Sequence, residues 1–325
     1  MLIGAIEGGG TKFVCAIGDE LGNIRDKLVI PTTEPEETLD QVVNYFKNKE
    51  LLGIGFGSFG PIDLNEKSSS FGKILNSPKL KWKNFNVYKY LKERLDCDIY
   101  MQTDVNVACL GEVYFGSSKG LENVLYITIG TGIGAGAIIN NNLLNGINHP
   151  EMGHIILNND SSFTGICPYH KNCFEGLCSG PAIEAHYGVK AQFLNDKNSW
   201  DEIGKLISSA LLNYSYILNP QRIIIGGGVS NKKELFDSIK KYFKNLNNNY
   251  LQNDYINKDD YIIKESLNGN SGILGAIALV KIKKNRTEEF YFFVFSWCKV
   301  CFLHLGQYFI TSILSGSFFL FFSVR

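Results

Sequence analysis

The chain has 325 residues, 45% of them hydrophobic and 20% charged, with 32 basic against 32 acidic side chains. That length suits two domains, each burying its own core, and the composition is ordinary for a globular protein. Zero net charge leaves no basic surplus to neutralise a phosphate backbone, so a nucleic-acid partner is not expected. The start, MLIGAIEGGG, has no basic segment ahead of an apolar one, so no signal peptide is expected. The eight cysteines (Cys15, Cys97, Cys109, Cys167, Cys173, Cys178, Cys298 and Cys301) are not spaced like a disulfide framework and read as reduced thiols of a cytoplasmic protein.

The first elements form a repeated grammar. Residues 3–24 run apolar to Ile6, then glycines, then apolar again from Phe13 to Ile17, then a turn at 18–22. This predicts a hairpin with a glycine-rich tip. Leu39, Val42, Val43 and Phe46 then mark one face of a helix over 36–49. A short apolar run, Ile99 to Met101, leads into QTDVNVACLGE, which puts Asp104 at a strand-to-helix turn. Asp104 there is either a carboxylate open to a cleft or a helix N-cap. Residues 124–146 repeat the hairpin grammar, with strands to Ile129 and to Ile139 around a second glycine tip. An amphipathic face over 200–218 stops at Asn219-Pro220. A third strand runs from 222 into Gly226, Gly227 and Gly228, and a helix follows with Ser230 expected as its N-cap and Glu234 in its first turn. Residues 271–284 read as a last apolar helix. Strands alternating with helices predict an α/β fold. After Asn285 comes a tail, 290–322, almost free of charge and about long enough to cross a bilayer. It reads either as a membrane anchor or as a translational extension outside the fold.

The glycine tips match no common dinucleotide motif. Gly130, Gly132, Gly134 and Gly136 have the wrong spacing for a Rossmann fingerprint and lead into a strand, and no Walker A string occurs. Glycines let several backbone N–H groups converge on one anion. Thr11 and Thr131 add hydroxyls and Lys12 adds charge. Two such tips across a cleft would grip a polyphosphate.

Residues 7–18 (EGGGTKFVCAIG), 57–63 (GSFGPID), 103–106 (TDVN), 129–136 (IGTGIGAG) and 151–154 (EMGH) together resemble the ROK sugar kinases. Glu7, the Gly-Pro-Ile-Asp run and Ser77-Pro-Lys-Leu-Lys-Trp82 are similar to the bacterial fructokinase type. The resemblance covers residues 3 to about 283 and leaves out the tail. It implies the actin/hexokinase fold, two ribonuclease-H-like domains with ATP and a hexose in the cleft between them. One domain would be 1–113, joined by a helix over 271–285, and the other 114–270, with 286–325 outside both. By this resemblance Gly8, Gly9, Gly10, Thr11 and Lys12, with Gly130, Thr131, Gly132 and Gly134, hold the phosphates. Gly226, Gly227, Gly228, Val229 and Ser230, and Pro181, lie by the nucleotide. Asp104 is the base that deprotonates the sugar. Gly60, Pro61, Asn106, Glu151, His154 and Glu175 line the sugar site, and the assembly is a homodimer. The regulator branch of the family needs a DNA-binding segment ahead of the first glycine loop, where only six residues precede Glu7.

One stretch remains, CPYHKNC at 167–173. With His154 it offers a Cys2His2 set, His154, Cys167, His170 and Cys173, the closed arrangement of a structural zinc. The alternative is chance placement, with His154 acting alone. The resemblance implies a zinc site here, which would tie this loop to Glu175 and the sugar site. It also implies Mg²⁺, arriving on the ATP phosphates.

Overall fold

The computed structural model describes residues 1–77 and 79–285. The hydrophobic tail, with Cys298 and Cys301, lies outside the described residues. Among the described residues no helix is long and apolar enough to cross a membrane.

Two five-stranded sheets organise the chain. The first contains β1 (Leu2–Gly8), β2 (Lys12–Asp19), β3 (Ile24–Pro31), β4 (Ile54–Ser58) and β5 (Ile99–Thr103), in the order β3-β2-β1-β4-β5. β1, β2 and β3 are antiparallel, while β4 and β5 run parallel to β1. The second contains β6 (Val124–Ile129), β7 (Ile133–Ile139), β8 (Asn142–Leu143), β9 (Arg222–Gly226) and β10 (Ile262–Lys264), in the order β10-β9-β6-β7-β8. It has the same plan: an antiparallel hairpin and a third strand on one side, two parallel strands on the other. The central strands are buried along nearly their whole length because helices cover both faces, whereas β3, at an edge, is mostly exposed.

In the first half, α1 (Pro35–Phe46) and α2 (Val87–Lys92) separate the parallel strands, and α3 (Asp104–Tyr114) follows β5. α1 starts on a proline with Glu36 and Glu37 in its first turn, which suits the helix dipole, and buries Leu39, Val42, Val43 and Phe46. In the second half come α4 (Phe174–Cys178), α5 (Gly180–Tyr187), α6 (Lys197–Leu218) and α7 (Lys233–Asn247). α6 ends where Asn219 turns left-handed, ahead of Pro220. α7 corrects one expectation. Ser230 does not cap it; residues 228–231 form a separate 3-10 turn in which the Ser230 hydroxyl donates to Gly227 O at 2.7 Å, and α7 begins only at Lys233.

The last helix of each half couples the two sheets. α3 packs against β4 of the first sheet and against β6 and β7 of the second. The final helix, α8 (271–285), buries Ile273, Leu274, Ala276, Ile277 and Val280 against Ile3, Ala5, Val14 and Ala16 of the first sheet. α3 and α8 touch backbone to backbone. A Cβ on Gly275 would overlap the Val107 carbonyl, and one on Gly111 would overlap the Ser271 carbonyl. Beside this contact the fully buried Glu112 of α3 accepts from Ser266 N (2.8 Å), Ser266 Oγ (2.6 Å) and Ser271 Oγ (2.9 Å), tying α3 to the start of α8. Overpacking a core costs about 1–3 kcal/mol even where side chains can yield, and here backbone must yield. Gly275→Ala is therefore expected to lower Tm by about 6 °C or more, read by differential scanning calorimetry.

Candidate active site

The first glycine tip lies between β1 and β2. Gly8 closes β1, Gly9 N donates to Lys12 O at 2.9 Å, and Thr11 and Lys12 stand exposed. The tip is tied down from β3, since Thr32 Oγ1 donates to Gly9 O (2.8 Å) and Thr32 N to Thr11 O (3.0 Å). Phe59 N donates to Gly8 O at 2.7 Å, so Gly60 and Pro61 follow directly beside the base of this loop.

The second tip mirrors it between β6 and β7. Gly130 N donates to Gly132 O at 2.9 Å, Thr131 is exposed, and Gly134 lies in β7. Its support comes from the helices: Gly180 N donates to Gly130 O at 2.7 Å, which brings Pro181 and the start of α5 to this loop. Glu175 Oε2 accepts from Ile133 N at 2.9 Å and lies 2.7 Å from where a Cβ on Gly132 would stand. Glu175 thus braces the glycine loop. The third glycine run closes in from β9. Gly227 has φ +83°, and a Cβ there would meet Ile129 N and C at 2.7 Å, so only glycine lets this turn press against the end of β6. Val229 and Ser230 are buried behind it, while Gly228 faces open space.

Asp104 is the first residue of α3. Thr103, not Asp104, caps the helix: its Oγ1 accepts from Asn106 N at 3.3 Å. The capping alternative for Asp104 is thereby removed, and its Oδ1 accepts from the adjacent Val105 N, at 2.9 Å. Burial, joined by the Glu7 and Glu151 carboxylates, pushes the Asp104 carboxyl up to about 7, against the pull of the Val105 amide. A carboxyl titrating near neutrality is suited to accept a proton from a hydroxyl. Glu7, at the end of β1, is also raised, by burial first, with Lys12 and Lys27 opposing. It sits against the start of α8, since a Cβ on Gly272 would lie 2.6 Å from its carboxyl carbon. Glu151 lies within electrostatic reach of Asp104, His154 and Glu175. Asn106 is fully buried; its Nδ2 donates to Gln102 Oε1 at 2.9 Å and its Oδ1 has no protein partner.

His154, Cys167, His170 and Cys173 converge, each offering a ligand atom within 4.8 Å of the others. Cys167 Sγ lies 3.9 Å from His154 Nδ1 and 3.8 Å from His170 Nδ1, and Cys173 Sγ lies 3.5 Å from His154 Nδ1. A tetrahedral zinc with bonds of about 2.3 Å to sulfur and about 2.0–2.1 Å to nitrogen has edges of about 3.3–3.8 Å. The donor set and its spacing therefore fit the ion. Isolated bridges, Ile156 to Cys173 and Cys167 to Lys171, fold the chain into this knot. Burial pushes the Cys167 thiol up, but the His170 and Tyr169 backbone amides bring it below the ordinary thiol range.

A family model described as the ROK family matches residues 3–283. The chain belongs to the ROK family. It is 45% identical to a fructokinase of Lactococcus lactis subsp. cremoris over 252 residues, 76% of this chain and 86% of that protein. It is 42% identical to a fructokinase of Pediococcus pentosaceus over 284 residues, 86% and 98%. The fold matches a ROK hexokinase from Thermus thermophilus with a TM-score of 0.71 at 22% identity, covering 88% of this chain and all of that one. It also matches a ROK family glucokinase from Streptomyces griseus, solved with glucose and AMPPNP, with a TM-score of 0.69 at 24% identity, covering 86% and 99%.

Sequence reasoning about this ROK chain missed three site neighbours. Glu7 stood out as a motif residue but carried no role. Thr103 was hidden by the attention Asp104 drew; a hydroxyl residue three before an amide-donating Asn106 was the available signal. His149 had no sequence signal, yet its Nδ1 lies 3.5 Å from Thr103 Oγ1, beside the turn that carries Asp104.

Proposed function

We propose that this ROK protein transfers the terminal phosphoryl group of ATP to a hexose, converting D-fructose to fructose 6-phosphate. The observation that carries the reading is Asp104: a carboxyl freed from capping, raised to about 7, at the head of a helix in contact with both sheets. The fructokinase relatives, at 45% and 42% identity, support fructose as the sugar.

In this reading the two lobes are 1–113 with 271–285, and 114–270, and the α3–α8 contact is their joint. Gly8 to Lys12 and Gly130 to Gly134 hold the phosphates with backbone amides, threonine hydroxyls and the Lys12 ammonium. Gly226 to Ser230 and Pro181 flank the nucleoside. Gly60, Pro61, Asn106, Glu151, His154 and Glu175 shape the sugar pocket. The sugar's 6-hydroxyl attacks the γ-phosphorus in line, Asp104 takes its proton, and ADP leaves with the former bridging oxygen. Mg²⁺, arriving with ATP, would supply charge neutralisation on the phosphates. Bound zinc, with four protein ligands, supplies a fixed tie and no open coordination position. It would be held by His154, Cys167, His170 and Cys173, and so would place Glu151 and Glu175 on either side of the knot. The reading also takes the protein as a cytoplasmic homodimer, to be checked by light scattering.

Coupled ADP release with fructose, glucose, mannose and N-acetylglucosamine tests the proposal. Fructose is expected to show a kcat/KM about tenfold or more above the others. Equal or greater turnover of glucose would move the assignment to another hexose, and no sugar-dependent ADP release would remove it.

A further inference from the structure

The stretch Ser77-Pro-Lys-Leu-Lys-Trp82 has no part in the site described so far. Its lysines differ in what they do. Lys81 pairs with Glu34. Lys83 is exposed. Lys79 does something else: its Cε lies 3.2 Å from where a Cβ on Gly10 would stand. The side chain therefore lies across the tip of the first glycine loop, and its ammonium is one bond further on. Among the described residues the Lys79 ammonium has neither an ion-pair nor a hydrogen-bond partner. A lysine serving only solubility has no reason to lie over a glycine turn when the solvent is open to it.

The backbone that carries this side chain is hydrogen-bonded on both sides. Lys79 N donates to the oxygen of Ser77, itself buried, at 3.2 Å, and Lys79 O accepts from Trp82 N at 2.9 Å. Trp82 is 1% exposed. It stacks on Phe13 with centroids 5.4 Å apart, meets Phe59 edge-on at 5.5 Å, and donates from Nε1 to Thr33 O at 2.9 Å. Phe13 immediately follows Lys12, and Phe59 is the residue whose amide holds Gly8 O. The platform that carries Lys79 is thus built onto both flanks of the glycine loop. Whatever sits on the Gly9–Lys12 turn sits under this ammonium.

We propose that Lys79 is a catalytic residue of the phosphoryl transfer, its ammonium contacting the equatorial oxygens of the group in flight. This rests on the kinase reading above. Negative charge on those oxygens must be met by cations placed in advance, and a lysine acts there as a point charge on a flexible stem. A side chain at position 10 would press on Lys79 Cε and displace the lysine by a few tenths of an ångström. Lys12, on the same loop, supplies the second cation, from the β2 side.

Two measurements on the full chain test this. The first is steady-state turnover of fructose by wild type, Lys79→Met, Lys79→Arg and Lys83→Met. Removing one such charge is expected to cut kcat by about 10²–10³-fold, with the KM for fructose within about threefold. Arginine should recover at least about tenfold of the loss, and Lys83→Met should stay within about twofold of wild type. The second is calorimetric titration with ADP alone and with ADP plus aluminium fluoride, which places a phosphoryl mimic beside ADP. Lys79→Met should bind ADP within about threefold of wild type but lose the extra affinity that fluoride confers. If wild type turned over no hexose, the kinase reading would fall, and the fluoride comparison would still decide whether Lys79 meets the transferring group. A loss confined to the KM for fructose would place Lys79 on the sugar and overturn the proposal. So would a kcat within threefold of wild type together with unchanged fluoride affinity.

Discussion

Asp104→Asn is expected to lower kcat for fructose phosphorylation by about 10²–10⁴-fold, the range over which a positioned general base acts. Asparagine keeps the shape and can still accept the Val105 amide, so Thr103 continues to cap α3 and the fold stays intact. What is lost is the ability to take a proton. The pH profile carries the same information with a definite sign. With the carboxyl raised to about 7, the base form is depleted below neutrality, so wild-type kcat/KM should rise with pH through about 7 and then level. The residual activity of Asp104→Asn should lack that limb. Stability should move the other way. An aspartate titrates near 3.9 in an unfolded chain and near 7 here, so between those values the unfolded state gives up its proton while the native state keeps it. That penalty grows as pH rises from about 4 to about 7 and stays constant above. Asp104→Asn should therefore melt higher than wild type at pH 8, with the gap closing towards pH 4. Full turnover in the variant, or a wild-type profile flat across neutrality, would remove Asp104 as the base.

The second large effect concerns the knot at His154, Cys167, His170 and Cys173. The purified protein is expected to carry about one zinc per chain by atomic emission. Cys173→Ala should lose the ion and drop Tm by about 8 °C or more, since loss of a metal belongs to the mutations that exceed about 4 kcal/mol. The reason lies in what residues 155–173 otherwise have: two isolated bridges and no helix or strand, with Ile156 and Ile166 exposed. Glu175 begins two residues past the last ligand and accepts from the second glycine loop. Metal loss should consequently loosen the loop as well as the sugar side and raise both KM values. A zinc-free protein of unchanged Tm and full activity would show the cluster to be incidental.

Much of this was legible in the chain itself. The two glycine hairpins stand at 8–12 and 130–132 as their strand–glycine–strand grammar predicts, because glycines accept the tight turn backbone that the flanking apolar residues, held in strands, do not. The helix face at Leu39, Val42, Val43 and Phe46 is buried as its spacing predicts, although α1 starts one residue earlier and ends sooner. Ser230 shows where local reading fails. Serine ahead of an acidic residue looks like a cap, but the preceding glycine run presses against the end of β6 and spends that serine on its own turn. His149 and Lys79 were illegible as site neighbours for a related reason. Their places depend on which loop another part of the chain brings alongside.

The sequence by itself determined the elements and their repetition, because hydrophobic period and glycine content act over a few residues and need no partner. It also determined the chemistry on offer, two glycine-rich tips, one aspartate at a strand-to-helix turn and a Cys2His2 set. Only the tertiary structure decided that His149 comes beside Thr103, that Glu175 braces a glycine loop, and that α3 and α8 meet through glycines. Those outcomes are set by contacts between residues tens to hundreds of positions apart, where packing and burial, not local preference, fix which polar group finds which partner.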